Sequence, residues 1–166
     1  MDRRRFLILG AAGVGAGTLA LMARAQDVVA VTLPPSKPTF RLDDAQWRKR
    51  LGPQRYAVLR QAATEPPFSS PLDHEHRAGT YRCAGCALPL FSSKNKFDSG
   101  TGWPSFWRPL TANAITTGTD TSLMMVRTEV RCRRCASHLG HVFDDGPPPT
   151  GLRYCINGLA LDFVPG

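Results

Sequence analysis

Hydrophobic and polar positions first follow a helical period in the stretch "LDDAQWRKRLGPQRYAVLRQAATEPPF" and predict two short helices. Asp43 or Asp44 can cap the first helix, and Gly52 ends it. Pro53 suits the first turn of a second helix, which Pro66 stops because proline lacks the backbone N–H that a helix interior uses. The apolar positions of the two helices are Trp47, Leu51, Tyr56, Leu59 and Ala63.

After residue 68 the period changes to two, and short apolar runs are separated by glycine, proline, serine and threonine. The runs include "GTYRC", "AITTG", "HVF", "LRYCIN" and "LALDF", which are typical of short β-strands. The sequence has neither a glycine-rich phosphate loop nor an alternation of strands and helices. We therefore predict a mainly β domain with short N-terminal helices. In "MVRTEVRC" one predicted face carries Met125, Arg127, Glu129 and Arg131, and the other carries Val126, Thr128 and Val130.

The first residues have a different character. Three arginines at 3–5 precede an uncharged run from 6 to 23, and Ala-Arg-Ala follows at 23–25. This order is typical of a cleaved secretory signal, and the arginine pair before Phe-Leu is similar to twin-arginine export signals. An uncleaved membrane anchor is the alternative, because the run is nearly long enough to span a bilayer. The predicted segments are a signal at 1–25, an extended arm at 26–42 and one domain at 43–166.

Charge and length limit the classes of function. A chain of 166 residues favours one domain. The formal charge of +8 falls to +5 once the four arginines and one aspartate of residues 1–25 are removed. Such a mildly basic protein is not a nucleic-acid binder on charge alone, and we expect no nucleic-acid partner. The predicted signal places the protein outside the cytoplasm, in a bacterial periplasm.

Four of the five cysteines form two close pairs, Cys83-x-x-Cys86 and Cys132-x-x-Cys135. Two-residue spacing lets both thiolates of a pair point at one ion, and four thiolates suit tetrahedral zinc. The flanking stretches "YRCAGCALPLF" and "VRCRRCASHLGHVF" are similar to each other, which favours two equivalent turns. Two disulfides or a redox pair are the alternatives. A zinc ion held by four thiolates has no open position, so the sequence predicts a structural site.

The fifth cysteine, Cys155, is then the one thiol left for chemistry. In a strand, Arg153, Cys155 and Asn157 share a face, where the arginine can favour the thiolate. His138 and His141 follow the second cysteine pair, and an imidazole is a common activator of a reacting thiol. A buried, inert cysteine and structural histidines remain the alternative.

Trp103 lies in the stretch "FDSGTGWPSFW", which predicts a turn. Gly100 and Gly102 make its backbone open, and Pro104 stiffens it. A tryptophan at such a turn either packs into the core or forms one wall of a pocket.

Three of these stretches together resemble the B-type peptide methionine sulfoxide reductases: "WRKRLGPQRYAVLRQAATEPPF", "CAGCALPLFSSKNKFDSGTGWPSF" and "RTEVRCRRCASHLGHVFDDGPPPTGLRYCIN". The resemblance covers about residues 43–165. It implies a β-tent-like domain of two antiparallel sheets with a structural zinc ion. It also implies reduction of methionine (R)-sulfoxide in proteins or peptides.

The resemblance assigns roles residue by residue. Cys155 matches the nucleophile, and His141 matches the acid that protonates the sulfoxide oxygen. Trp103 matches the aromatic wall that holds the methyl group of the substrate. The other matches are three polar residues of the site and the four zinc ligands: His138, Arg153, Asn157, Cys83, Cys86, Cys132 and Cys135.

The chain differs from many family members at one position. Where they have a second, resolving cysteine, this chain has Thr101. Since the other cysteines are assigned to zinc, the resemblance implies that a small thiol or a thioredoxin-like protein regenerates Cys155. No pattern of surface residues indicates an oligomer, so we expect a monomer.

Overall fold

The computed structural model describes residues 37–166. The predicted signal at 1–25 and most of the predicted arm lie outside this range. Across residues 37–166, the helices are too short or too polar to cross a membrane.

One α-helix, α1, covers Asp44–Gln61. It begins with a capping box, in which Asp43 accepts a hydrogen bond from the Gln46 N–H and Gln46 accepts one from the Asp43 N–H. Gly52 interrupts the helix with φ 66° and ψ 174°, so the two predicted helices are two parts of α1 separated by a kink. The helix ends at Gln61, earlier than the predicted stop, because Ala62 adopts a left-handed conformation with φ 55°.

The strands form two antiparallel sheets. The smaller sheet has the order β2-β1-β9, and the larger has the order β3-β4-β8-β7-β6-β5. The predicted mainly β fold is therefore confirmed. The strand bounds are β1 Gly79–Cys83, β2 Pro89–Ser92, β3 Lys96–Phe97, β4 Ser105–Phe106, β5 Ile115–Asp120, β6 Arg127–Cys132, β7 His138–Phe143, β8 Arg153–Ile156 and β9 Leu161–Pro165.

Short 3₁₀ helices connect several of these strands. They are Pro71–His74, Ser93–Asn95, Ala112–Ala114, Ser122–Met124 and Gly158–Ala160. The strands β2, β3 and β4 are two to four residues long and were not predicted. Runs this short contain too few positions to show an alternating pattern.

Aromatic side chains join the two sheets in the core. Tyr81 and Phe91 belong to the smaller sheet and Phe106 to the larger one, and all three are fully buried. The rings of Phe91 and Phe106 stack with their centroids 4.4 Å apart, and Tyr81 meets Phe106 edge-on at 5.0 Å. Large buried rings in these geometries contribute strongly to core stability, so they fix how the sheets pack.

The strand β6 departs from the alternation predicted for it. Its pairing with β7 shifts after Val130, where Leu139 of β7 is the extra residue of a bulge. Glu129, predicted on a polar face, is 6% exposed. Met125 and Val126 precede the strand and are exposed.

Candidate active site and metal centre

The four paired cysteines meet at one buried point. Their sulfur atoms all lie within 4.8 Å of one another. Cys83 Sγ is 3.7 Å from Cys135 Sγ, and Cys86 Sγ is 3.6 Å from Cys132 Sγ. A disulfide needs about 2.05 Å, whereas zinc–sulfur bonds of about 2.3 Å place tetrahedral sulfurs about 3.8 Å apart. The arrangement fits one tetrahedral zinc ion and excludes disulfides among these four residues.

The two cysteine pairs have the same backbone turn. Ala87 donates a hydrogen bond from its N–H to the Cys83 carbonyl, and Ala136 donates one to the Cys132 carbonyl. Both alanines have a left-handed conformation, with φ 60° for Ala87 and φ 55° for Ala136. The similarity between the two stretches of sequence therefore reflects a repeated turn.

The helix α1 holds both turns in place. Arg50 donates a hydrogen bond to the Gly85 carbonyl at 2.7 Å, and Arg60 donates one to the Cys135 carbonyl at 3.2 Å. The guanidinium of Arg60 also lies 4.7 Å from the centre of the Trp47 ring. The strand β7 starts at His138, three residues after Cys135, so a metal ion held by the four cysteines would fix the entry of the chain into the larger sheet.

Strand register brings Cys155 and His141 together. Cys155 in β8 pairs with His141 in β7 on one side and with Ser105 in β4 on the other. His141 in turn pairs with Glu129 in β6. Directly opposed residues of antiparallel strands present their side chains on the same face, with Cβ atoms about 5 Å apart. Residues distant in the sequence therefore form one row across the sheet, and we call this row the register row.

A pocket of about 130 Å³ opens above this row. Four of the predicted site residues line it: Trp103, His141, Cys155 and Asn157. Arg127 and Phe143 also line it, and neither was predicted.

Glu65, which the sequence reasoning missed, connects Trp103 with Asn157. Its carbonyl accepts a hydrogen bond from Trp103 Nε1 at 3.1 Å, and its N–H donates to Asn157 Oδ1 at 3.0 Å. The other end of the Asn157 amide donates to the Leu139 carbonyl at 3.1 Å. The buried carboxylate of Glu65 accepts hydrogen bonds from the N–H groups of Gly158 and Leu159. Asn157 is therefore held by backbone groups and fixes the end of β8.

His141 has a carboxylate partner. Its Nε2 lies 2.8 Å from Asp120 Oδ2, and the same oxygen accepts a hydrogen bond from Arg127 at 2.7 Å. Burial lowers the pKa of His141, and the hydrogen bond with Asp120 opposes that shift without cancelling it. The imidazole is therefore mostly neutral at pH 7.

His138 lies beneath the site. It is 4% exposed, and its ring centre is 5.4 Å from that of His141. Its Nδ1 is 2.7 Å from Glu129 Oε1, while its Nε2 has no hydrogen-bond partner within residues 37–166. Burial tends to raise the pKa of Glu129, but the hydrogen bonds with His138 and Arg131 outweigh it and lower the pKa to about 2.

The environment of Cys155 favours the protonated thiol. Burial raises the pKa of Cys155, and contacts with Thr101 and Arg153 lower it by less. Thr101 Oγ1 is 3.8 Å from Cys155 Sγ. Arg153 forms two hydrogen bonds with Asp145, at 2.8 Å and 2.7 Å, which neutralise much of its charge. The predicted effect of Arg153 thus has the expected direction but is weaker than burial.

The family model and the relatives that match this chain all indicate the same protein family. A family model described as the SelR domain matches residues 51–165. A "Peptide methionine sulfoxide reductase MsrB" of Thioalkalivibrio sulfidiphilus is 59% identical over 122 residues, which cover 74% of this chain and 89% of the relative. Proteins of the same name from Thiobacillus denitrificans and Agrobacterium fabrum are 60% and 52% identical, and the matches cover 74% and 78% of this chain and 92% and 96% of those relatives.

The chain belongs to the B-type peptide methionine sulfoxide reductases. This confirms the family resemblance and places the chain among oxidoreductases. Within this B-type reductase, the structure brings Cys155, His141, Trp103 and Asn157 to one pocket, whereas His138 and Arg153 lie outside its lining. The roles assigned to these six residues stay predictions.

The sequence contained little indication that Asp120 and Arg127 belong to the B-type site. Asp120 and Arg127 stand at the end of β5 and the start of β6, and they pair with each other across the sheet. An acidic and a basic residue flanking a predicted strand turn look like ordinary surface residues. Their position relative to His141 depends on strand pairing, which the sequence alone did not give.

Replacing Arg153 with methionine tests the electrostatics of Cys155. Removing the positive charge should raise the thiol pKa further, because the charge of Arg153 favours the thiolate. The rate of Cys155 alkylation by iodoacetamide at pH 8 should then fall by about two- to threefold, since the thiolate is the reacting form. Arg55→Met, which removes an arginine paired with Asp162, serves as the control. Equal rates for both variants would contradict the assignment.

Proposed function

We propose that the protein reduces methionine (R)-sulfoxide in proteins, with Cys155 as the nucleophile. The single observation that carries the proposal is the pairing of Cys155 with His141 in a pocket lined by Trp103. It places a thiol, a proton-transfer group and an apolar wall around one small space. The shared family supports methionine sulfoxide as the substrate class.

The reaction balances without an added proton. The Cys155 sulfur attacks the sulfoxide sulfur while the thiol proton passes to His141 and from there to the sulfoxide oxygen. The S–S bond formed in this attack and the S–O bond of the substrate then both break as the protonated oxygen moves from the substrate sulfur to the Cys155 sulfur. Methionine leaves, and Cys155 carries the oxygen as a sulfenic acid. The substrate sulfur gains two electrons and the Cys155 sulfur loses two. Burial favours a neutral thiol and a neutral imidazole at rest, which is the protonation state that this transfer requires.

Trp103 gives the pocket its selectivity in this proposal. Its indole N–H is bonded to the Glu65 carbonyl, so the ring is fixed and presents a flat apolar surface. The methyl group of the sulfoxide fits against such a surface, whereas the oxygen needs a polar partner such as His141. The methyl group and the oxygen of the sulfoxide are thus directed to different walls of the pocket. Only one of the two sulfoxide stereoisomers can then present its sulfur atom to Cys155. We assign this to the R configuration on the basis of the B-type family.

The metal has a structural role in this proposal. Cys83, Cys86, Cys132 and Cys135 would hold zinc, which cross-links the two turns when bound. The reacting residues belong to β7 and β8, and β7 starts directly after the second turn. The chain's own residues therefore carry the chemistry, and the metal centre keeps them in register.

An external thiol completes the cycle in this proposal. Attack of that thiol on the sulfenic acid releases water and forms a mixed disulfide, and a second thiol then frees Cys155. The four other cysteines are buried at the metal centre, and Thr101, which contacts Cys155, carries a hydroxyl and no thiol. A thioredoxin-like protein or a small thiol is therefore the proposed reductant.

Thr101→Cys should create an internal route. The present contact of 3.8 Å between Thr101 Oγ1 and Cys155 Sγ shows that the two side chains are within disulfide reach. After one turnover with substrate and no reductant, we expect a disulfide between the new cysteine and Cys155. Peptide mapping by mass spectrometry detects it, and Thr101→Ser is the matched control. A sulfenic acid that persists in Thr101→Cys would contradict the prediction.

We also propose that the enzyme acts after export from the cytoplasm. The sequence of residues 1–25 supports this, and those residues lie outside the described structure. Fractionation of a bacterial host and N-terminal sequencing should give a periplasmic protein that starts at Gln26. A full-length protein in the membrane fraction would instead support an uncleaved anchor.

The stereospecific assay tests the proposed function directly. The purified protein is mixed with the separate R and S sulfoxides of N-acetyl-methionine and with dithiothreitol, and methionine formation is followed by chromatography. We expect turnover of the R isomer alone. Turnover of the S isomer would overturn the assigned stereochemistry, and no turnover of either would overturn the function.

A further inference from the structure

A second apolar surface lies beside the pocket. Residues 122–126 lie in the connection between β5 and β6 and are here called the apolar loop. Leu123 is 73% exposed, Met124 is fully exposed and Val126 is 81% exposed. Several consecutive exposed apolar residues are unusual on a soluble protein, and such patches commonly mark binding surfaces.

The backbone holds these side chains outward. Leu123 and Met124 have φ 55° and φ 56°, in the left-handed region that side chains other than those of glycine, asparagine and aspartate seldom adopt. Two hydrogen bonds anchor the start of the loop. The Ser122 N–H donates to Asp120 Oδ1 at 2.8 Å, and Arg127 donates to Ser122 Oγ at 3.2 Å. The loop is therefore attached to the sheet while its apolar side chains stay in solvent.

The apolar loop is continuous with the candidate active site. Asp120, which anchors the loop through one carboxylate oxygen, binds His141 through the other. Arg127, at the other end of the loop, lines the pocket. The loop thus forms part of the pocket rim on the side of β5 and β6.

The opposite rim carries a second exposed apolar side chain. Phe68 is 64% exposed and has φ 60°. Its N–H donates to the Gly102 carbonyl at 2.8 Å, directly before Trp103 in the pocket wall. In the strand order, β4 lies on one side of the Cys155 strand β8, and β7, β6 and β5 lie on the other. Cys155 is therefore placed between Phe68 and the apolar loop.

We propose that the apolar loop and Phe68 bind apolar residues on the two sides of the methionine sulfoxide in an unfolded protein substrate. The inference deepens the proposed function and rests on it. Strands are spaced about 4.8 Å apart, so the end of β5 and β6 is roughly 10–14 Å from β8. An extended substrate chain rises about 3.3 Å per residue, which places the recognised residues about three or four positions from the sulfoxide.

Charge supports a neutral polypeptide as the occupant. Asp120 and Arg127 pair with each other at 2.7 Å, so the rim beside the loop carries little net charge. An anionic lipid surface or a nucleic acid would need a basic rim. Apolar segments of folded proteins are mostly buried, so this surface selects chains that oxidation or damage has unfolded.

Matched peptides test the proposal. The purified protein is assayed with three R sulfoxides: N-acetyl-methionine sulfoxide, a peptide with leucines three and four residues to either side, and the same peptide with serines. We expect kcat/KM to be about tenfold higher for the leucine peptide than for the serine peptide. Partial burial of one or two leucine side chains accounts for a difference of this size.

Asparagine variants remove the apolar surface without changing the backbone, because asparagine tolerates left-handed φ. Leu123→Asn/Met124→Asn and Phe68→Asn should each lower kcat/KM for the leucine peptide about three- to tenfold. The value for N-acetyl-methionine sulfoxide should stay within about twofold. Leu110→Asn is the control, since Leu110 is 42% exposed and its N–H bonds the Leu90 carbonyl of the smaller sheet.

Several results would overturn the proposal. One is an equal kcat/KM for the leucine and serine peptides in the unaltered protein. Another is that Leu123→Asn/Met124→Asn leaves peptide selectivity unchanged but abolishes self-association in sedimentation. The same holds if that variant instead abolishes binding to phosphatidylcholine vesicles. If N-acetyl-methionine (R)-sulfoxide is not reduced, the proposed function fails instead. In that case the affinities of the labelled leucine and serine peptides for the protein are compared by fluorescence anisotropy. Tighter binding of the leucine peptide would support the docking surface, and equal binding would overturn it.

Discussion

Replacing Cys155 with serine should abolish methionine sulfoxide reduction while leaving the fold intact. A serine hydroxyl is a far weaker nucleophile than a thiol and cannot form the sulfenic acid. We expect kcat/KM for N-acetyl-methionine (R)-sulfoxide to fall by at least about a thousandfold, as for the loss of other covalent nucleophiles. The assay is the chromatographic one, with dithiothreitol in excess.

Thr101→Ser is the matched control for that experiment. It changes a side chain in contact with Cys155 but keeps a hydroxyl there, so its activity should stay within a few-fold of the unaltered protein. Both variants should melt within a few degrees of the unaltered protein, because each changes only one or two atoms. Residual activity above about one part in a hundred in Cys155→Ser would identify a different reacting group.

Removing one ligand of the metal centre should unfold the protein. Cys86 is buried, and its sulfur completes the four-sulfur cluster. Binding of zinc by four thiolates contributes of the order of 10 kcal/mol to folding, which is similar to the whole stability of a small domain. Cys86→Ser should therefore lose its cooperative thermal transition and its bound zinc. Circular dichroism and metal analysis measure both.

Cys155→Ser provides the comparison for the metal centre. It removes the one cysteine outside the cluster, so it should keep about one zinc per chain and the normal melting temperature. A strong chelator added to the unaltered protein should reproduce the effect of Cys86→Ser, and added zinc should reverse it. A stable, cooperatively folded Cys86→Ser protein would contradict a folding role for the metal.

Local features of the sequence were enough to predict the cysteine pairs and the break at Gly52, although the break was expected to separate two helices and lies within α1. The two-residue spacing of the cysteines and the glycine–proline step at Gly52 are each contained in a few neighbouring residues. Their conformations depend mainly on those neighbours, and the structure has the turn and the break where the sequence indicated them.

Other features depend on which strands pair, and the sequence could not supply them. Glu65 bonds Asn157 across 92 positions, and Asp120 bonds His141 across 21. The bulge at Leu139 of β7 has the same origin, since it exists only in the pairing with β6. Glu129 was predicted on a polar face, although its pairing with His141 in β7 places it beside His138, where it is buried.

The register row also determines where the chain can change in length. Gly140 lies so close to β8 that an added Cβ atom would sit 2.1 Å from the Cys155 carbonyl oxygen. A one-residue insertion or deletion in β7 or β8 would turn His141 or Cys155 to the opposite face of the sheet. The connection 144–152 contains no paired strand, so a change in its length does not by itself turn these side chains over, although Gly146 packs tightly against Leu152. Length differences among related chains should therefore accumulate in that connection and be absent from the strands around it.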